Sequence, residues 1–302
     1  MEERTNHISV VIPTRERLEL VARAVRSVQE QSHSNWSAVI VDDSSEDTFR
    51  ELRMLSQEDP RIRVIRGPRG GDAVARRIGA SSAEGPLIAF LDSDDEWLPH
   101  HLSEHITLWS RFPTIGLSWN ADVVFTGDGK LRLPFDYPFR RGVTCLQPTE
   151  LVSRLLVRNV IDISSSVISK QLLERAGGFP LRQPCDWRLW IALTQLAPAV
   201  YTSKILTVHH EAAIGRLGYS RRVRIRDTIG TYSFGLETLK KLNLNVDPSI
   251  VFAWSYQRLI DFFASGLPKS AIASLKRLTK YYVDCDPSVL GVELSEWKKL
   301  QT

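Results

Sequence analysis

Short apolar runs alternate with helix-period segments through the first 112 residues, and that alternation most restricts what the chain can fold into. Ile8-Ser9-Val10-Val11-Ile12 reads as a buried strand stopped by Pro13. Leu18, Val21, Ala22, Val25 and Val28 then recur at helical spacing. Ala38–Val41 reads as a second strand, Thr48–Leu55 as a second helix and Ile62–Ile65 as a third strand. Gly70 and Gly71 open a third helix through Ala80, and Pro86–Leu91 follows Gly85 as a fourth strand. Continuous apolar strands are buried on both faces, and strands alternating with helices pair in parallel through crossovers. The pattern predicts an α/β fold, a mostly parallel sheet with helices on both faces.

After Phe112 the rhythm changes. Ile115–Phe125 is a longer strand, and Gly127-Asp128-Gly129 is a hairpin turn signal. The Pro-, Arg- and aromatic-rich stretch from Pro134 to Pro148 predicts irregular loop. Ile163–Ile168 reads as a strand, followed by a short helix ending at Gly177-Gly178 and a second helix over Asp186–Leu196. From about Arg221 onward the chain reads as all-helical, with Phe252, Tyr256, Leu259 and Phe263 at helical spacing and a break at Gly266-Leu267-Pro268. A domain over residues 1–215 with a helical extension over 216–302 is therefore expected. The extension carries enough apolar residues to need a surface to cover.

Composition narrows the class. With 43% hydrophobic and 25% charged residues, the 302-residue chain matches an ordinary soluble protein. No run approaches the roughly 18 apolar residues of a membrane span, and the first residues lack the order of a signal peptide. Cys145, Cys185 and Cys285 are widely separated, without metal-binding spacing, and read as reduced thiols of a cytoplasmic protein. A net charge of +4 fits an anionic ligand and gives no case for a nucleic-acid partner.

The fourth strand ends in Asp92-Ser93-Asp94-Asp95-Glu96. Ligands of open α/β sheets gather at the carboxyl ends of strands. Aspartates crowded there repel one another unless a cation neutralises them, and hard oxygen donors suit Mg²⁺ or Mn²⁺, ions that in turn hold a diphosphate. The plainer reading is an acidic cap for the helix near Pro99. Asp42-Asp43, at the end of the second strand, offers a carboxylate for a ring N–H such as that of uracil, or else an N-cap shared with Ser44 and Ser45. Gly67-Pro68-Arg69-Gly70-Gly71 before Arg76 and Arg77 suits an approaching anion or a plain turn, and is neither a P-loop nor Gly-x-Gly-x-x-Gly. Asp186, at a helix start among aromatics, suits a general base or an N-cap. In His209-His210-Glu211 the two rings point to opposite sides of a strand, so at most one faces a metal. Arg221–Arg226 is the densest basic patch; it suits a diphosphate, an anionic acceptor or a lipid headgroup, but such runs are mostly solvated faces and it reads as one.

Taken in order, these pieces resemble glycosyltransferase family 2, the inverting family with the GT-A fold. The resemblance rests on Val10-Val11-Ile12-Pro13-Thr14, Val41-Asp42-Asp43-Ser44-Ser45 and Phe90-Leu91-Asp92-Ser93-Asp94-Asp95. It continues through Trp97-Leu98-Pro99, Gly177-Gly178-Phe179 and Asp186 with Trp190, and so covers roughly the first 210 residues. The resemblance implies a nucleotide-sugar half over about 1–112 and an acceptor half over about 113–215. Pro13, Thr14 and Arg15 would border the nucleobase pocket, with Asp43 on the base and Asp42 beside it. Gly71 and Arg76 would lie on the donor's side. Asp92 and Asp94, either side of Ser93, match the family's Asp-x-Asp element, the first contacting ribose and the second the divalent cation on the diphosphate. Asp186 matches the general base, and His210 resembles a histidine near the metal or diphosphate.

The implied reaction is an inverting transfer from a nucleoside diphosphate sugar, a UDP-sugar by family frequency, to an acceptor hydroxyl. The acceptor would be a saccharide, lipid-linked saccharide, natural product or polypeptide, and a lipid-linked one would bring the protein to the inner face of a membrane. The chain departs from the family at Cys185, where Glu commonly precedes the base, at Arg77 in place of the usual Asn, and at Thr207-Val208 before the histidines. A nucleotidyltransferase is the rival enzyme, but Pro13-Thr14-Arg15-Glu16-Arg17 stands where its Gly-rich triphosphate loop would be. A non-catalytic sugar-nucleotide binder would be expected to lack Asp94 or Asp186, and both are present.

Overall fold

Ile8–Thr14 forms β1, and all seven of its residues are buried. The strand runs through Pro13 because the neighbouring strand β4 (Leu87–Phe90) pairs with it only as far as Val11. Beyond that point the missing proline N–H breaks no ladder bond on that side. β1 also pairs in parallel with β2 (Trp36–Asp42), which pairs in parallel with β3 (Ile62–Arg66). The connecting helices are α1 (Leu18–Gln29), α2 (Glu46–Glu58) and α3 (Asp72–Ser81). Helical periodicity places α1 correctly, but Ala24 rather than Ala22 reaches the core beside Val21, Val25 and Val28. The computed structural model describes residues 6–132, 141–157, 159–181 and 185–210.

Three further strands extend the sheet: β6 (Leu117–Phe125), β9 (Ser166–Ser169) and β10 (Ala199–His210). With β5 (Asp95–Trp97) the order is β3-β2-β1-β4-β9-β6-β10-β5. β9 lies antiparallel between β4 and β6, β10 runs parallel to β6, and β5 is antiparallel to β10. The predicted mostly parallel α/β sheet is therefore present, with α4 (His101–Arg111) among its helices.

Several expectations are corrected. The acidic segment does not cap α4, whose N-cap is His100; Asp95-Glu96-Trp97 is itself a strand on β10. Part of the expected loop is ordered as β8 (Val143–Leu146), paired with β10, and Pro148–Val157 is helix α5. Ile163–Ser165 is a 3-10 turn before β9, whereas α6 (Lys170–Arg175) is the short helix expected before Gly177-Gly178. The last described helix is α7 (Cys185–Thr194), and a two-residue strand β7 (Leu131–Arg132) pairs with β6.

The chain divides into two compact units, residues 1–148 with 160–216, and 149–159 with 217–302. The expected helical extension, the Arg221–Arg226 patch and Glu211 lie outside the described residues. No helix of the described residues is long and apolar enough to cross a membrane.

Candidate active site

Parallel strands deliver their carboxyl ends to one edge, so β1, β2 and β4 bring Thr14, Asp42-Asp43 and Asp92 to one side of the sheet. Asp43 does not cap α2, whose N-cap is Ser45. Its Oδ1 accepts from the backbone N–H of Arg69 and its Oδ2 from that of Gly71, each at 3.0 Å. The Gly67–Gly71 loop is thereby folded over Asp43, with Gly71 at a positive φ of 82° that suits glycine. Asp42 is fully buried; its Oδ1 accepts from the Ser44 N–H at 3.1 Å and from the Ser44 hydroxyl. Burial raises the proton affinity of Asp42, opposed by those Ser44 bonds and by the Arg66 charge.

The Thr14 carbonyl accepts from the Asp43 N–H at 2.9 Å, while Arg15 is exposed. Glu16 stands in no sequence pattern, yet it ties the first two strand-to-helix loops together. Its N–H donates to Ser44 Oγ at 2.6 Å, and its carboxylate accepts from Ser45 N–H, Ser45 Oγ and Thr48 Oγ1.

Oxygens of Asp92, Asp94 and Asp95 lie within 4.8 Å of one another. The donor set is carboxylate only, which fits a hard divalent cation such as Mg²⁺ or Mn²⁺. Arginines border it on two sides. Arg76 donates to Asp92 Oδ1 at 2.6 Å and to Asp72 Oδ2 at 2.8 Å. Arg17 donates to Asp94 Oδ2 at 3.1 Å, and Arg23 to the Asp94 carbonyl at 2.7 Å. Ser93, between the two aspartates, is buried.

Behind this loop Ser164 accepts from the Asp92 N–H at 3.0 Å and donates to Asp95 Oδ2 at 2.6 Å. His209 completes the support. Its Nδ1 lies 2.9 Å from Asp95 Oδ1, and its Nε2 lies 2.7 Å from Asp122 and 3.6 Å from Asp162. Burial alone would lower its pKa, but the Asp162 charge and the bonds to Asp122 and Asp95 push it up to about 12. His209 is therefore an imidazolium held between the carboxylates of Asp95 and Asp122, while the more distant Asp162 is itself pushed up to about 7, chiefly by burial. Asp122 has a usable sequence signal, as the one ionisable residue of the strand Leu117–Phe125; Asp162, Ser164, Arg17 and Arg23 have none. His210 is not brought to the aspartates. Its Nε2 lies 3.3 Å from Glu96, beside the Phe125 ring, because successive strand residues face opposite ways.

Asp186 stands in the first turn of α7 and is half-buried. Burial raises its proton affinity, against the Trp187 N–H and the Arg76 charge, with Asp72 raising it further. Asp186 thus shares Arg76 with Asp92 electrostatically, although 94 residues separate them in sequence (186 − 92). The preceding Cys185 thiol is pushed up to about 12, chiefly by burial, and stays neutral. Arg77, where the family usually has Asn, donates to the carbonyls of Phe179 at 2.8 Å and Gly177 at 3.4 Å, holding the Gly-Gly-Phe segment against α3.

The family model "Glycosyl transferase family 2" matches residues 9–159, half of the chain, and that span includes every aspartate of the two strand ends. The chain belongs to glycosyltransferase family 2. Among family relatives, an uncharacterised glycosyltransferase of Nostoc is 27% identical over 216 residues, covering 70% of this chain and 64% of its own. The chain thus spans less than two thirds of that relative's length. The Escherichia coli WfgD, named as a UDP-Glc:alpha-D-GlcNAc-diphosphoundecaprenol beta-1,3-glucosyltransferase, is 24% identical over 189 residues, 62% of this chain and 69% of its own. Among solved structures, S. aureus TarS 1–349 superposes with a TM-score of 0.68 at 15% identity, covering 90% of this chain and 80% of its own. The mannosyltransferase PcManGT of Pyrobaculum calidifontis, in complex with GDP-Man and Mn²⁺, gives 0.58 at 18% identity, covering 97% and 83%. These structural likenesses place the family member's fold as GT-A.

Proposed function

We propose that the protein is an inverting glycosyltransferase that moves a sugar from a nucleoside diphosphate sugar to an acceptor hydroxyl. The observation that carries this reading is the gathering of Asp43, Asp92 and Asp94 at the carboxyl ends of the parallel strands, with Arg76 bonded to Asp92 and its charge felt by Asp186. Asp43 would accept from the base N–H, each of its oxygens having a lone pair beyond those given to Arg69 and Gly71. Pro13, Thr14 and Arg15 would border the base, Asp92 and Ser93 the ribose, and Gly71 and Arg76 the donor's flank. Asp94 would hold Mn²⁺ or Mg²⁺, whose charge offsets that of the departing diphosphate when bound.

Asp186 would take the acceptor proton. Its burial-raised proton affinity brings it nearer to that of the hydroxyl it must serve. The hydroxyl would attack the anomeric carbon opposite the leaving diphosphate, so that one displacement inverts the linkage. Arg77 would keep the Gly177–Phe179 segment beside that approach. A UDP-sugar is favoured because WfgD is named for UDP-Glc and TarS is solved with UDP-GlcNAc. The lipid diphosphate in WfgD's name supports a lipid-linked saccharide acceptor and peripheral association with a membrane.

The test is binding across a panel of nucleotide sugars, with Mn²⁺ and with chelator. Metal-dependent selection of one nucleotide, lost in Asp94→Ala, is expected. Silence toward every nucleotide sugar with a signal from nucleoside triphosphates would instead indicate a nucleotidyltransferase.

A further inference from the structure

Arg17 occupies a position that an arginine ordinarily avoids. It stands at the N-cap of α1, where Ser, Thr, Asp or Asn would bind the open helix amides, and its side chain makes no such bond. A cation at that end also opposes the helix dipole. The side chain reaches Asp94 instead, donating to Oδ2 at 3.1 Å, with side-chain exposures of 20% for Arg17 and 11% for Asp94. Arg23 meets the same loop differently. It donates to the Asp94 carbonyl and pairs with Glu96 at 2.9 Å. Arg23 therefore holds backbone, while Arg17 holds the carboxylate that would take the cation.

A guanidinium and a divalent cation on one carboxylate repel each other, so each lowers the other's affinity for Asp94. The planar fork of arginine suits a phosphate as well as a carboxylate. We propose that Arg17 is an exchange residue of the donor site, neutralising Asp94 in the free protein and passing to a diphosphate oxygen when a divalent cation takes Asp94. The inference rests on the nucleotide-sugar reading above. It makes metal and nucleotide binding cooperative, because the diphosphate supplies the anion that Arg17 gives up.

The experiment is Mn²⁺ binding by electron paramagnetic resonance, without turnover, in the presence and absence of UDP or GDP. The parent protein is expected to bind Mn²⁺ at least about tenfold more tightly with the preferred diphosphate. In Arg17→Gln the metal-only affinity should rise and the coupling should fall several-fold, leaving the part that the attraction between cation and diphosphate supplies by itself. Arg23→Gln removes a neighbouring charge and should leave most of the coupling. Should Arg17→Gln fail to fold, Arg17→Lys carries the comparison, with coupling reduced several-fold by loss of the fork. Parent-like coupling in the Arg17 variant, or an equal loss in Arg23→Gln, overturns the inference while leaving the donor reading intact. A parent protein that binds no Mn²⁺ under either condition overturns that reading and the inference with it.

Discussion

Gly67 and Asp43 approach so closely that a Cβ on Gly67 would stand 2.0 Å from Asp43 Oδ1 and 3.3 Å from the Asp42 carbonyl. The loop after β3 thus lies directly over the carboxylate proposed to meet the nucleobase, and two of its N–H groups bind that carboxylate. Gly67→Ala forces either the loop or Asp43 aside. Overpacking of this kind costs about 1–3 kcal/mol, and the expected outcome is a nucleotide affinity at least about tenfold weaker with the fold retained. Isothermal titration with the preferred nucleotide, alongside a thermal unfolding curve, checks it. Parent-like affinity would mean that Asp43 is not set by this loop.

Asp186→Asn removes the proposed base but leaves Arg76 and the acid cluster in place. Transfer should fall by about 10²–10⁴, with nucleotide binding unchanged. Because burial raises the Asp186 pKa, the acid limb of the transfer-rate profile should lie above the usual carboxylate range. Single-turnover transfer across pH reads both. Near-parental transfer in the variant would remove Asp186 from the mechanism.

His209→Gln leaves the buried Asp95 and Asp122 without their counter-charge, with the half-buried Asp162 beside them. Breaking a buried pair of this kind costs about 3–5 kcal/mol, which urea unfolding would show as a lower midpoint. The sign of the pH dependence follows from a folded pKa of about 12 against 6.5 for a free histidine. The stabilisation is complete below about pH 6.5 and is lost as pH rises toward 12. The variant should lack that alkaline slope.

His105 behaves oppositely. Its ring is buried, with Nδ1 2.7 Å from Ser118 Oγ and Nε2 3.1 Å from Asn120 Oδ1, and burial lowers its pKa to about 4. Between pH 6.5 and 4 the unfolded chain takes up a proton that the folded chain refuses. The contribution is present above pH 6.5 and is lost as pH falls toward 4, on the order of 3 kcal/mol. His105→Gln should flatten this part of the stability profile, and an unchanged acid slope in the variant would contradict it.

Much of the fold was legible because the information is local. The strands from Ile8, Trp36 and Leu87 are mostly apolar runs, Ile62–Arg66 sets apolar residues among arginines, and the helices between them carry period-3.6 faces. An amphipathic or doubly buried segment declares its neighbours' polarity without reference to distant residues. Segments whose state depends on a remote partner carry no local sign of it. Asp95-Glu96-Trp97 resembles a helix cap, yet it is a strand because β10, over a hundred residues later, offers the ladder. Val143–Leu146 is paired by the same strand.

The site divides along the same line. The sequence by itself determined which residue types crowd the strand ends: paired aspartates after β2, three more after β4, and an aspartate opening α7. Only the tertiary structure decided what each faces. It turned His209 rather than His210 toward Asp95, aimed Arg17 at Asp94, and bonded Arg76 to Asp92 within electrostatic reach of Asp186. Charge interactions fall off with distance in space and are indifferent to distance along the chain. No pattern of neighbouring letters could have assigned those partners.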